Sequence, residues 1–166
     1  MGKWQFPILL FLLTIQWVTA QSGIQHWDTE DGLSNNWVSQ IIQDDEGYIW
    51  IATQYGLNRF DGYSFRSFIY RPNEPNSLKA NWVRTVSKDS TGQLWLGSFY
   101  GGISAFQPKI GQIQHYDSQA SVVLSMLCDE ENAIWVSSRR GLFVKRAHED
   151  NFQQLFNDKF INDIAA

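Results

Sequence analysis

Aromatic and arginine side chains occur in three short segments of the sequence, and their types suit the binding of a sugar. The residues are Tyr55, Phe99, Tyr100, Arg139 and Arg140. An aromatic ring can stack on the apolar face of a sugar, and a guanidinium group donates several hydrogen bonds to hydroxyl or carboxylate oxygens. We therefore predict that these five side chains contribute to a ligand-binding rim or an interface. The alternative is that they are ordinary loop residues.

No set of residues in the sequence has the types and spacing of a catalytic centre. Asp45, Gly47 and Trp50 overlap the Asp-box pattern of sialidase-like propellers, and a glycosidase needs paired carboxylates or an equivalent nucleophile. The position of Asp45 holds Ser90 and Glu130 in two later copies of the segment, and no carboxylate pair stands out in the loops. We therefore predict no catalytic residues and no enzyme activity in this chain.

The histidine and cysteine content predicts neither a metal site nor a cofactor. His26 and His115 occupy equivalent, outward-facing positions in the similar segments 24–27 and 113–116, and neither has a second metal-ligand candidate nearby. Cys128 is the only cysteine, so an internal disulfide is impossible. It follows an apolar run, which predicts a buried residue.

The five candidate binding residues lie between three copies of one short sequence unit, which must position them. We name it the Asp–Trp unit: an Asp, then a Gly or Asn, then a Trp, at three-residue intervals. Successive tryptophans are 45 and 40 residues apart, a period typical of propeller blades. The Asp and the Gly or Asn predict a turn with a positive φ, and the Trp predicts a buried strand. The three copies are Asp44, Gly47 and Trp50, then Asp89, Gly92 and Trp95, then Asp129, Asn132 and Trp135.

Each copy extends into four predicted strands, which makes the predicted fold class all-β, with β-propeller blades of four antiparallel strands. The predicted blades cover approximately 37–70, 82–118 and 121–156. Residues 24–27 are predicted to be the outer strand of the closing blade, and 160–166 the start of a further blade. Propellers close with about four to eight blades. About three blades leave the ring open, so we expect an N-terminal fragment that aggregates or stays partly unfolded in isolation.

The N-terminal residues predict export from the cytoplasm. Lys3 precedes an apolar core from Phe6 to Val18, and the small residues that follow end at a cleavage site before Gln21. A membrane span needs roughly 20 apolar residues, which is longer than this core. We therefore predict a signal peptide over 1–20 and a periplasmic location, with an uncleaved anchor as the alternative.

The charge distribution excludes a nucleic-acid partner. The chain has 13 basic and 17 acidic residues and a formal net charge of −4. Apart from Arg139 and Arg140, the sequence has no cluster of basic residues. The electrostatic attraction that phosphate backbones require is therefore missing.

Parts of the sequence resemble the two-component regulator propeller repeat, which forms the periplasmic sensor of hybrid histidine kinases and precedes some diguanylate cyclases. The resemblance is carried by Asp31 to Val38, Asp44 to Thr53 and Gly56 to Gly62. The segment Pro75 to Val83 is similar to the linker between blades of that family. The resemblance covers Ile24 to about Asp163, and it is strongest in the first copy and weakest in the third.

This resemblance implies that residues 21–166 are part of an extracytoplasmic sensor of a two-component signal transduction protein. The implied partner is a small-molecule or oligosaccharide ligand, often a carbohydrate. The full-length protein is expected to be a homodimer at the inner membrane, with a kinase or cyclase encoded beyond Ala166. The alternative is a secreted propeller that serves as a protein- or sugar-binding scaffold without signalling.

Overall fold

The computed structural model of the protein describes residues 23–157 and 161–164, which form three four-stranded antiparallel sheets. The all-β prediction of propeller blades in an open ring is confirmed. A short 3₁₀ helix, Thr29–Asp31, precedes the first strand. The predicted signal peptide lies outside the described residues.

Each sheet is a meander in which strands that are consecutive in the chain pair with one another. Blade 1 consists of β1 (Val38–Gln43), β2 (Ile49–Thr53), β3 (Gly56–Phe60) and β4 (Phe65–Phe68). Blade 2 consists of β5 (Val83–Lys88), β6 (Leu94–Ser98), β7 (Gly102–Gln107) and β8 (Gln112–Tyr116). Blade 3 consists of β9 (Val123–Cys128), β10 (Ile134–Ser138), β11 (Gly141–Lys145) and β12 (Gln153–Asn157). The first strands β1, β5 and β9 are neighbours in space.

The Asp of each Asp–Trp unit holds the turn and the buried strand together. In blade 1 the Asp44 carboxylate accepts hydrogen bonds from the Glu46 and Tyr48 amides and, at 2.7 Å, from the Trp50 indole. The same bonds recur around Asp89 and Asp129, with indole distances of 2.9 and 2.7 Å. The indole bond is the main reason why the pKa of Asp129 lies below its ordinary value. The Asp–Trp unit is therefore a scaffold element.

The turn of each Asp–Trp unit has the left-handed backbone that its sequence predicts. Gly47, Gly92 and Asn132 have φ values of 89°, 81° and 60°. Glycine and asparagine tolerate this conformation best. Asn132 adds a contact that glycine lacks, because its side-chain oxygen accepts a hydrogen bond from the Ser90 amide of blade 2.

The hydrophobic core consists of two clusters, each between two neighbouring blades. In the first, Trp50 of blade 1 packs against Phe68 and against Phe106 of blade 2, with ring centroids 5.8 and 5.7 Å apart. In the second, Trp95 of blade 2 faces Lys145 of blade 3, which replaces the Phe of the earlier copies. The Lys145 ammonium lies 5.5 Å from the Trp95 ring, which makes a cation–π contact, and the Phe152 ring of blade 3 contacts Trp95 at 6.0 Å.

The described residues differ from the sequence predictions in where the first strands begin. The first strands of blades 1 and 2 begin one residue after the predicted starts of these blades at 37 and 82, so that Trp37 and Trp82 precede the strands. Residues 24–27 and 161–164 form no strand in the structure. The predictions that they belong to further blades stay predictions, and residues 160, 165 and 166 lie outside the described part. Residues 23–157 and 161–164 contain no helix with the length and apolar character of a membrane span.

His115 is not the freely outward-facing residue that the sequence predicted. Its side chain is half-buried on β8, where Nδ1 lies 2.8 Å from the Ser104 hydroxyl of β7. This cross-strand pair has a structural role. Burial, and then the positive charge of Lys79, lower the pKa of His115 from its ordinary value of 6.5.

The lowered pKa of His115 predicts a loss of stability in mild acid. Below about pH 6.5 the unfolded chain binds a proton at this residue that the folded chain does not. The free energy of unfolding should therefore fall as the pH drops from 6.5 through the folded pKa. Urea unfolding at pH 7.5 and 5.0 should show a smaller pH effect for His115→Gln than for the wild type. His26→Gln, at an exposed position, is the matched control, and an unchanged pH effect in His115→Gln would contradict the assignment.

Candidate ligand-binding face

The loops between the second and third strands of the blades lie at one end of the sheets, beside the first strands. In each blade a loop amide donates a hydrogen bond to the carbonyl of the residue just before the first strand. These bonds are Gln54 to Trp37, Phe99 to Trp82 and Arg139 to Val122, at 3.2, 3.0 and 3.3 Å. The loops are therefore anchored next to the space that the first strands line.

Three of the five predicted binding residues meet in one group. The Phe99 ring stacks on Trp82 with centroids 4.3 Å apart, and the Tyr100 ring contacts the Phe99 ring at 4.7 Å. The Arg139 guanidinium of blade 3 lies 5.4 Å from the Phe99 ring. We name these four residues the Trp82 cluster. Because Arg139 comes from the neighbouring blade, the cluster bridges blades 2 and 3.

Tyr55 and Arg140 lie on the same face but outside the Trp82 cluster. Both side chains are exposed. The Tyr55 amide donates a hydrogen bond to the Thr53 hydroxyl, and the Arg140 amide donates one to the Ser138 hydroxyl. Thr53 and Ser138 each end the second strand of their blade. Their predicted contribution to a ligand rim stays a prediction. They hold positions in their loops that correspond to that of Tyr100.

The loop of blade 2 is one residue longer than the loops of blades 1 and 3. Gly101 is the extra residue, and a Cβ there would lie 2.9 Å from the Ala80 Cβ and 3.1 Å from the Ser98 Cβ. Only glycine fits without displacing these neighbours. The close approach brings the loop against the linker that carries Trp82.

The Trp82 cluster borders a cleft of about 670 Å³ between the first strands. Trp37 and Trp82 line it at the loop end, and its walls include Gln40, Arg84, Ser125 and Asp163. The Arg84 Nε donates to the Leu124 carbonyl at 3.1 Å, which fixes the guanidinium against blade 3. The buried Trp82 Nε1 has no hydrogen-bond partner among the described residues. The cleft thus combines flat aromatic surface with polar and charged groups.

Trp37 and Trp82 line the cleft but are not among the five binding residues that the sequence predicts. Both open a predicted blade, at 37 and at 82, whereas in the structure they stand just before the first strand. One feature of the sequence could have identified them. The third copy has Val122 at the position of Trp37 and Trp82, so the residue at this position varies between blades, as the loop residues do. Trp37 is 66% exposed, unlike the buried Trp50.

The opposite end of the sheets carries the repeated turns and has a different character. Lys88 pairs with Asp45, and Lys109 with Glu46 at 3.6 Å, so that ion pairs join blades 1 and 2. Tyr63, in the turn after β3, is 89% exposed and has no aromatic neighbour within its turn. Across residues 23–157 and 161–164 no group of His, Cys, Asp and Glu side chains could hold a metal ion.

Cys128 is a structural residue in blade 3. Burial, followed by the charges of Asp89 and Asp129, raises the pKa of its thiol to about 11. The thiol is therefore protonated at neutral pH, and the nucleophilic thiolate is scarce. Its backbone amide donates to the Ser87 hydroxyl of blade 2, so this position joins two blades.

Comparison with protein-family models matches two segments of the chain. Residues 32–55 and 77–100 match the family described as Two component regulator propeller. These segments contain the first two Asp–Trp units. The chain is 37% identical over 75 residues to "Histidine kinase P4" of Formosa agariphila. The matched stretch covers 43% of this chain and 5% of that protein. The chain thus spans only a small part of the length of this relative.

Comparison with solved structures finds propeller proteins of more than one function. A structure described as the extracellular domain of a hybrid two component system from B. thetaiotaomicron has a TM-score of 0.68 and 24% identity, over 84% of this chain and 20% of that chain. Virginiamycin B lyase from Staphylococcus aureus, solved with Quinupristin, has a TM-score of 0.57 and 15% identity, over 74% of this chain and 43% of that chain. At these identities the similarity establishes the fold alone.

Proposed function

We propose that the chain is an extracytoplasmic ligand-sensing region of a two-component signal transduction protein, because two of its segments match the family described as Two component regulator propeller. The relatives support this proposal, since one is described as a histidine kinase and another as an extracellular domain of a hybrid two component system. The predicted signal peptide supports export to the periplasm. In this proposal the output kinase or cyclase belongs to other parts of the signalling protein.

The Trp82 cluster at the mouth of the cleft is the observation that carries the proposed ligand site. The Tyr100 side chain is 75% exposed, although it belongs to a packed aromatic group, so its ring is available to a ligand. Phe99 is held between Trp82, Tyr100 and Arg139, and its amide bonds the Trp82 carbonyl. A rigid aromatic surface loses little conformational entropy when a ligand binds.

The chemistry of this face favours an oligosaccharide. Tyr100 offers a ring for stacking on a sugar, and Arg139 and Arg140 offer donors to hydroxyl or carboxylate oxygens. Trp37 and Tyr55 extend the exposed aromatic surface towards blade 1. A ligand that spans these groups would contact all three blades at once. The proposed signal therefore begins with a ligand that bridges the three blades.

Binding of defined oligosaccharides tests this proposal. The probes are maltohexaose, xylohexaose, hexagalacturonate and a chondroitin sulphate tetrasaccharide, measured with the full chain by isothermal titration calorimetry. For whichever probe binds, we expect Tyr100→Ala and Arg139→Ala each to weaken affinity by about 10- to 100-fold, since each removes a direct contact. Tyr63→Ala, which alters an exposed tyrosine at the opposite end, is the matched control. Equal affinities of the Tyr100 and Tyr63 variants would refute the site, and binding by none of the four probes would count against an oligosaccharide ligand.

A further inference from the structure

One guanidinium group lines the cleft between the first strands without an ion-pair partner. Arg84 is the second residue of β5, a position that holds Ser39 in β1 and Leu124 in β9. Its side chain is half-buried and belongs to the wall of the cleft. The ion pairs that form among the described residues do not include Arg84. The cleft therefore holds an unpaired positive charge that only one of the three blades supplies.

The position of this charge is fixed by a hydrogen bond between blades. The Arg84 Nε donates to the Leu124 carbonyl at 3.1 Å. The two terminal amino groups of Arg84 donate no hydrogen bond to the described residues, so most of the N–H groups of the guanidinium remain free for a ligand. Such paired N–H groups bind both oxygens of a carboxylate at once. A guanidinium that is already fixed loses little conformational entropy when it binds.

The neighbouring polar groups of the cleft leave further donor capacity unused. Trp82, two residues before Arg84, also lines the cleft, and its buried Nε1 donor has no partner among the described residues. The acceptors nearby are already in use. The Gln40 side-chain oxygen accepts a hydrogen bond from the Val86 amide at 3.0 Å, and the Leu124 carbonyl accepts the one from Arg84. This surplus of donors favours a ligand group that has oxygen acceptors and no proton to donate.

The mouth of the cleft has the same sign of charge as Arg84. Arg139 and Arg140 lie on this face, and neither takes part in an ion pair among the described residues. The loops between the second and third strands contain no Asp or Glu, and neither do the two residues before each first strand. The repeated turns at the opposite end each contain Asp and no Lys or Arg. A chain with a net charge of −4 thus presents cations at the mouth of a cleft, where the field of such charges is concentrated.

Asp163 is the acidic residue among those that line the cleft, and it does not neutralise Arg84 by contact. Its Oδ1 accepts a hydrogen bond from the Ile164 amide at 2.9 Å, and it forms no ion pair with Arg84. From these groups, and resting on the proposed function, we infer that the ligand of the cleft is an acidic saccharide and that Arg84 binds the carboxylate of one of its uronic acid units.

The comparison of an acidic oligosaccharide with its uncharged ester tests this inference. The probes are hexagalacturonate and its methyl ester, which has the same sugars without the negative charges, measured with the full chain by isothermal titration calorimetry. The wild type should bind the acid at least about 10-fold more tightly than the ester, and Arg84→Gln should remove this difference by weakening the acid alone. Arg66→Gln is the matched control, since it removes the same charge from an exposed position on the outer strand β4. It should leave both affinities unchanged.

The salt dependence of binding separates the charge of Arg84 from its structural bond to Leu124. Arg84→Gln removes both, but only the charge is screened by salt. The affinity of the wild type for hexagalacturonate should therefore fall more steeply with rising NaCl concentration than that of Arg84→Gln. Equal salt dependence, or equal weakening of the acid and the ester by Arg84→Gln, would overturn the inference. Binding of the ester or of maltohexaose as tightly as the acid would also overturn it, although the proposed function would stand.

A monosaccharide keeps the test decisive if none of the oligosaccharides binds. Free galacturonate, compared with galactose at the same concentration, should raise the urea midpoint of the wild type and of Arg66→Gln, because a ligand of the folded state stabilises it. Arg84→Gln should show no such difference between the two sugars. This result would support the carboxylate site even where the oligosaccharide proposal fails. Equal effects of galacturonate and galactose on the wild type would overturn the inference.

Discussion

Trp50→Ala is expected to lower the free energy of unfolding by about 4 kcal/mol, the usual range for removing a large buried aromatic side chain. Trp50 is fully buried between blades 1 and 2, where it contacts Phe68 and Phe106. The substitution would also remove the indole donor from Asp44, which would leave one carboxylate oxygen without this bond. Urea unfolding followed by circular dichroism measures the effect.

Trp37→Ala is the matched control for this substitution. Trp37 is 66% exposed and stands before β1, so its removal should change the free energy of unfolding by less than about 0.5 kcal/mol. Similar losses in the two variants would contradict the assignment of Trp50 to the scaffold and Trp37 to the ligand-binding face.

Gly56→Ala is expected to destabilise the chain by about 3 kcal/mol or more, through a backbone clash added to an unfavourable φ. Gly56 opens β3 with a φ of 113°, and an added Cβ would lie 2.4 Å from the Phe68 carbonyl oxygen of β4. Main-chain atoms in a paired strand cannot move aside without breaking the pairing. The amide of the same residue donates to the Asn81 carbonyl, so the distortion would reach the linker to blade 2.

Gly62→Ala is the control that separates the two causes of destabilisation in Gly56→Ala, the steric clash and the unfavourable φ. Gly62 has a φ of 96°, but an added Cβ would meet no atom within 4 Å. The cost should therefore be only that of the left-handed conformation, about 1 kcal/mol. Urea unfolding midpoints of the two variants compare them directly, and equal losses would show that the contact with the Phe68 carbonyl contributes nothing.

The sequence predicts the scaffold well because its determinants are local. The Asp44 carboxylate, the turn at Gly47 and the Trp50 indole lie within seven residues, and the hydrogen bonds that the Asp44 carboxylate accepts all form within that segment. Three copies of such a unit make the blade period visible without any long-range information. The positive φ of Asn132 follows from the same local requirement.

The candidate ligand-binding face depends on contacts that the sequence does not display. Trp82 and Phe99 are 17 residues apart, and their stacking requires the glycine-permitted approach of the loop to the linker. Arg139 joins them from another blade. The pairing of Lys145 with Trp95 is hidden for the same reason, because the sequence shows a lost Phe but not the ring that the ammonium faces. Such contacts are set by how the blades pack against one another.

Amide hydrogen exchange of the full chain, with and without the tightest-binding oligosaccharide of the panel, most directly tests the division between repeated scaffold and variable binding face. We predict slower exchange in the loops 54–55, 98–101 and 138–140 and in Trp37 and Trp82. The repeated turns 44–47, 89–92 and 129–132, at the opposite end, should exchange at the same rate in both samples. Protection of these turns without protection of the loops would contradict the proposed binding face.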